Sequence, residues 1–234
     1  MIHLRMIAAF ALATAACGVA RADDRAVDLY GTANSSRVER IVEPEYPREA
    51  LARGLTGYVD VSGRVNGMHE IEDLQFHAGS PDAEVFVPGL RDVAKLWLFR
   101  PDLAGDTCFP AKQRMEVRVL FGIEDGKPRV AVEAAHASPS MKNEKTLHPQ
   151  CPRPYYPVNA LRSGYIANVY TRLNIAADGT VSSVQADVYT KGQAGSDLFA
   201  DSVKANLGKC HFDPADHPQA RRAACYEVQF RTRE

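Results

Sequence analysis

Two stretches of this chain carry one pattern 110 positions apart. The first is Pro44-Glu45-Tyr46-Pro47-Arg48-Glu49-Ala50-Leu51-Ala52-Arg53-Gly54, and the second is Pro154-Tyr155-Tyr156-Pro157-Val158-Asn159-Ala160-Leu161-Arg162-Ser163-Gly164. Tyr-Pro, Ala-Leu and Gly recur at identical spacing. Solenoid repeats run about 20–50 residues, so this longer period points to a small domain present twice. Proline suits the first turn of a helix, where its missing N–H costs nothing, and glycine suits the exit. Each stretch therefore predicts a two-turn helix, over residues 46–53 and 156–163. In the first, Ala50 and Leu51 face inward. Tyr46 and Tyr156 read as core-packing residues with satisfied hydroxyls.

The segments after the two helices are also alike. Tyr58, Val59, Val61 and Val65 alternate with polar residues, and so do Val169, Thr171, Leu173 and Ile175 within a strand over 167–175; period two marks a strand. Asn66-Gly67 and Asp178-Gly179 are hairpin signals, with returning strands over 71–77 and 181–189. Leu90, Val93, Ala94 and Trp97 then fall on one helical face, as do Phe199, Val203 and Leu207 within a helix over 196–207. Phe99-Arg100-Pro101 and Phe212-Asp213-Pro214 close these segments. Final strands are predicted over 115–121 and 225–231, and residues 127–132 extend or flank the first. The fold class is α+β: two tandem α-β-β-α-β domains, each a three-stranded antiparallel sheet with two helices on one face. The domains span residues 41–132 and 151–234, joined by a linker over 133–150. A polar arm over 23–40 precedes them, with a short strand at 26–30.

Residues 1–22 read as a secretory signal: Arg5, an apolar run over 6–16, and Ala20-Arg21-Ala22 before the cleavage point. A lipoprotein anchored through Cys17 is the competing reading. That run is too short to cross a bilayer, which takes about 20 residues. The 28 Lys and Arg against 29 Asp and Glu give a formal charge of −1; this balance offers nucleic acid no electrostatic footprint. Beyond Cys17 remain Cys108, Cys151, Cys210 and Cys225, an even count that predicts two disulfides in an exported chain. Three connectivities are open. The expected pairs are Cys210–Cys225 within the second domain and Cys108–Cys151 stapling the two domains.

The order Pro-x-Tyr-Pro-x-x-Ala-x-x-x-Gly, strand, Asn/Asp-Gly, strand, helix ending Trp-x-Phe-x-Pro, and last strand resembles the C-terminal domain of TonB. The first copy carries it in Pro44, Tyr46, Pro47, Ala50, Gly54, Gly57, Asn66-Gly67, Trp97, Phe99 and Pro101. The second carries it in Pro154, Tyr156, Pro157, Ala160, Gly164, Asp178-Gly179, Phe212 and Pro214, with Cys210 in the place of the tryptophan. The resemblance implies a periplasmic protein that takes up an extended peptide, such as a segment of a TonB-dependent outer-membrane receptor, by adding it as a strand to a sheet edge. It implies a role connected with transport across the outer membrane. The pairing residues would be Val117, Arg118, Val119 and Phe121 in one copy and Val228, Gln229 and Phe230 in the other. Family members often carry Gln three residues before the tyrosine; Glu43 and Arg153 stand there instead, implying two sites of differing charge preference. The membrane helix and Pro-rich spacer of a complete energy transducer are not expected, so the processed chain does not span a membrane.

No phosphate loop, Gly-x-Ser-x-Gly or His-Glu-x-x-His motif is present, and the expectation is a non-enzymatic protein without cofactor or metal. Cys210, His211, His217 and Cys225 match no usual zinc spacing. Asp213 and Asp216 read as a turn, and Arg221-Arg222 as a solvated pair. The alternative to a peptide binder is an envelope scaffold whose sheet edges are paired with each other or in a homodimer.

Overall fold

The computed structural model describes residues 27–31, 38–104, 107–134, 151–191, 195–213 and 223–232. The leader, most of the polar arm, most of the linker, and Asp216, His217, Arg221 and Arg222 lie outside them. The chain is mixed α+β, with three antiparallel sheets and four α-helices among the described residues.

In chain order, strand β1 is Val27–Gly31 and β2 is Val38–Arg40. Helix α1 is Arg48–Ala52, followed by β3 (Gly57–Val65) and β4 (Ile71–Ala78). A 3-10 helix over Pro81–Phe86 runs into α2 (Val87–Ala94), then β5 (Leu98–Phe99), β6 (Gln113–Glu124) and β7 (Lys127–Ala134). The second half runs α3 (Val158–Arg162), β8 (Ala167–Ile175), β9 (Val181–Thr190), α4 (Ser196–Leu207) and β10 (Ala223–Phe230).

Among the described residues the two large sheets have four strands each, not three. One is ordered β4-β3-β6-β7 and the other β1-β10-β8-β9, while β2 and β5 form a small third. The fourth strands have different origins. β7 returns beside β6 through Asp125-Gly126, both at positive φ (+50° and +73°). That is the backbone demanded by a tight hairpin whose twist matches the strands. β1 comes from the N-terminal arm and pairs antiparallel with β10, from Val27 opposite Phe230 to Gly31 opposite Tyr226.

Each half has its own core, with Ala50, Val59, Trp97, Val119 and Phe121 in one and Ala160, Val169, Phe199, Val228 and Phe230 in the other. The repeated stretch builds the same cap twice. Gly54 and Gly164 both sit at φ +65°. Gly54 N–H donates to Leu51 O and Leu55 N–H to Ala50 O; Gly164 and Tyr165 do the same to Leu161 and Ala160. This paired closure satisfies carbonyls that the helix end would otherwise orphan, and a side chain at the positive-φ position would strain it. Tyr46 donates its hydroxyl to Leu55 O and Tyr156 to Tyr165 O, nine residues on in both copies.

Two local expectations are corrected. Leu51 is 36% exposed, not inward, because a single turn buries only the Ala50 side. Trp97 is not helical: Leu96 and Trp97 N–H donate three residues back, to Val93 and Ala94, and this tight turn ends α2. Trp97 is fully buried all the same, and its Nε1 donates to Val42 O at 2.8 Å.

The disulfides are Cys108–Cys225 and Cys151–Cys210, with Cα separations of 5.2 and 4.2 Å. This corrects both expected pairs. Cys210 stands where the first copy has Trp97, and its bond to Cys151 ties the segment before α3 to the turn after α4. In the first half the Trp97–Val42 hydrogen bond makes that tie. Cys210 is thereby occupied, and Cys225, at the start of β10, meets the Cys108 loop of the first half.

Candidate functional site

The residues expected to receive a peptide lie on β6 and β10. Val117, Val119 and Phe121 are buried in the first core, and Val228 and Phe230 in the second. Phe121 stacks on Phe86 at 4.1 Å between centroids and meets the Tyr46 ring edge-on at 5.9 Å. Phe230 meets Phe199 at 4.8 Å and Tyr156 at 5.5 Å. These side chains are core anchors, so only backbone is left to recruit a strand.

That backbone is engaged on both sides. β6 lies between β3 and β7, and β10 between β8 and β1. The expectation of an unpaired final strand is therefore not met in either half. The outermost strands are β4 and β7 of one sheet and β1 and β9 of the other. Glu43 and Arg153 are exposed on the approaches to α1 and α3, each just before a buried proline, Pro44 or Pro154. They are on neither final strand.

The outer faces of the two sheets, away from the cores, differ sharply. On the first, Arg118 donates to both carboxylate oxygens of Asp60 at 2.7 and 2.9 Å, with its guanidinium 4.2 Å from the centroid of Tyr58. The hydrogen bond from Arg118 holds the Asp60 carboxyl below its ordinary range. Arg114 donates to Ser62 Oγ and Gln75 Oε1. This face is open and polar.

On the second sheet the corresponding face is covered. The 66–70 turn of the first half lies on it, between β8, β9 and β10. Asn66 folds the turn by accepting N–H bonds from Met68 and Glu70 on its own side-chain oxygen, at 2.8 and 3.0 Å. Gly67 packs against the Tyr189 ring so closely that a Cβ there would lie 2.2 Å from it. Gly67 O accepts from Asn168 Nδ2 at 2.9 Å and from the Tyr170 hydroxyl at 3.1 Å. Asn168, Tyr170, Glu227 and Gln229 are all nearly inaccessible as a result. Outside the buried part, Lys191 reaches Glu70 at 2.9 Å.

At the centre is His69, 1% exposed and at φ +70°. Its counterpart in the second hairpin is Gly179 at φ +85°. The equivalence is fixed by backbone: Phe99 N–H donates to His69 O at 2.8 Å, and Phe212 N–H to Gly179 O at 2.9 Å. A histidine in left-handed conformation where glycine serves elsewhere carries a strain of about 1–3 kcal/mol. Its ring is gripped from both edges: Nδ1 contacts Glu39 on β2, while Nε2 lies 2.8 Å from Glu227 Oε1 and 3.0 Å from the Tyr170 hydroxyl. Gln229 Nε2 donates to the same Glu227 oxygen at 2.6 Å. Burial alone would lower the His69 pKa, but the hydrogen bonds and charges of Glu227 and Glu39 outweigh it and raise it above the ordinary value. The bond from His69 in turn lowers Glu39. Burial drives the Tyr170 hydroxyl upward, so it stays protonated and donates. The two carboxylates face opposite ring nitrogens and so cannot share one ion; among the described residues no His, Cys, Asp and Glu group holds a metal geometry.

Sequence reasoning did not find His69, Asn168, Tyr170 or Glu227. One signal was available: the glycine of the second hairpin is replaced by histidine in the first. Another was Tyr170, a large aromatic residue at an outward position of a strand.

No protein-family model matches the chain, and no curated protein matches it.

Proposed function

We propose that this is an exported, non-enzymatic interaction protein built from two tandem α-β-β-α-β units of the TonB C-terminal type. It engages extended peptides by strand addition at β10, where the incoming segment takes the place of β1. The partners we assign are protein segments such as those of TonB-dependent receptors, met in the periplasm. One observation carries the reading: β10 already accepts a five-residue segment, Val27–Gly31, from nearly two hundred positions away in sequence. Antiparallel pairing of that kind uses main-chain groups alone, which is the physics of strand addition. The matching edge of β6 is taken by its own hairpin partner over eight residue pairs, a local closure that costs little chain entropy. Of the two final strands, β10 is the one open to exchange.

A chain lacking residues 27–31, titrated with a synthetic Val-Asp-Leu-Tyr-Gly peptide and with receptor box peptides, tests this. Amide shifts at residues 226–230 are expected. Their absence for every peptide sinks the reading.

Both final strands are paired on each side, and this favours a scaffold as the second reading. Cys108–Cys225 and the buried contacts around His69 join the two halves into a fixed pair. In a scaffold the β1 pairing is permanent, and the peptide titration of the shortened chain still succeeds while that of the intact chain fails at any concentration.

A further inference from the structure

We propose that His69 is a protonation latch: its imidazolium holds the 66–70 turn of the first half on the outer face of the second sheet, and loss of that proton loosens the turn. With both carboxylates ionised, the geometry requires a doubly protonated ring. Nδ1 meets a carboxylate on β2, and Nε2 meets another on β10 together with the hydroxyl of Tyr170 on β8. A neutral imidazole has one N–H, so one of the two carboxylates would face a lone pair. Glu227 is 5% exposed, and a buried carboxylate without its donor carries a desolvation cost that water cannot relieve.

The surrounding groups support the same charge state. Tyr170 donates to Gly67 O and is an acceptor at Nε2, so it cannot replace the missing positive charge. Gln229 donates to Glu227 as well but is neutral. Arg100 and Arg231 act electrostatically on Glu39 from a distance. Arg231 is engaged with Asn168 Oδ1 at 2.6 Å and Ala167 O at 3.1 Å. Tyr189, on β9, covers Gly67 and directs its hydroxyl to Asp187 at 3.0 Å. Lys191 pairs with Glu70 at the rim. His69 is thus the cation placed between both carboxylates.

The sign follows from the raised folded-state pKa. The stabilisation is fully present below the unfolded histidine value of about 6.5. It is lost as pH rises through the folded-state pKa. The latch opens on the alkaline side. Each unit by which the closed-state pKa exceeds 6.5 makes the open turn about tenfold more populated at high pH. The strained backbone of His69 favours opening once the charge is gone.

The test uses the full oxidised chain. Imidazole signals of labelled histidine are followed by NMR from pH 5 to 10, with His69 assigned from its absence in His69→Asn; asparagine tolerates the left-handed backbone. Hydrogen-exchange protection of residues 66–70, corrected for the intrinsic pH dependence, is recorded alongside. We expect His69 to titrate above 6.5 and the turn's protection to fall with it, by about tenfold per unit of elevation. Glu227→Gln should lower the titration midpoint, and His69→Asn should remove the pH-dependent step. Titration of His69 at or below 6.5 in the unmodified chain overturns the proposal. So does protection of the turn that stays constant through the titration, a result that needs no variant.

Discussion

The two halves start from one pattern and finish it by different means. After α2, the first half holds Trp97 by a hydrogen bond to Val42; after α4, the second holds Cys210 by a disulfide to Cys151. In the first hairpin a histidine takes the left-handed position; in the second it is Gly179. The first final strand is covered by its own hairpin, the second by a segment from the far end of the chain. The outer face of the first sheet is open, and that of the second is filled by the first half's turn. The difference teaches that the repeated helix cap and the aromatic core contacts of Tyr46, Phe86 and Phe121 and of Tyr156, Phe199 and Phe230 set the fold, while the halves are joined by residues at which the two copies differ, such as His69 against Gly179.

The largest expected effect breaks the equivalence of Trp97 and the Cys151–Cys210 bond. Trp97→Ala should destabilise the chain by about 3–5 kcal/mol through loss of a fully buried ring, read by denaturant unfolding. Replacing Cys151 and Cys210 by serine should cost about 2–5 kcal/mol, concentrated in exchange protection of β8–β10. If both losses spread evenly over the two halves, the halves are not separate cores.

A step smaller is Gly179→Ala. Its φ is +85°, and a Cβ would stand 2.0 Å from Phe212 O. The expected cost is about 2 kcal/mol or more, from backbone strain and the contact together. Gly54→Ala, at φ +65° with open space around it, should cost about 1–2 kcal/mol. Equal losses at the two sites would show that the contact with Phe212 does not matter.

Tyr46→Phe and Tyr156→Phe should each cost about 1 kcal/mol, the net worth of a hydroxyl bond to a carbonyl. Their equality tests the repeat most finely. Least of all, Asp60→Asn on the open face should change stability by under about 1 kcal/mol, and less in salt, since the pair with Arg118 is exposed.

The elements inside the repeat are legible because each obeys a local rule. Strand 167–175 and helix 196–207 coincide with their observed bounds, since period and turn residues agree there. The satisfied tyrosine hydroxyls are readable for the same reason. β7 is only half legible: residues 127–132 read as flanking, although Asp125-Gly126 is a hairpin signal. The disulfides are legible in number but not in pairing, because proximity in sequence misleads. Cys210 and Cys225 look like neighbours, yet the strand pairing of β10 sends Cys225 toward the other half. The covered face cannot be read from alternation, because an outward Asn168 or Tyr170 is buried only by a turn 101 or 103 positions away.

The claim that β10 offers an exchangeable edge is tested most directly on the intact oxidised chain. Amide exchange of residues 226–230 would be measured alone and with excess Val-Asp-Leu-Tyr-Gly peptide carrying an isotope label. The account predicts that labelled peptide enters the sheet, with cross-strand contacts to Tyr226 and Phe230 in the register now held by Gly31 and Val27. Residues 226–230 that remain fully protected, with no contact to labelled peptide, would contradict it.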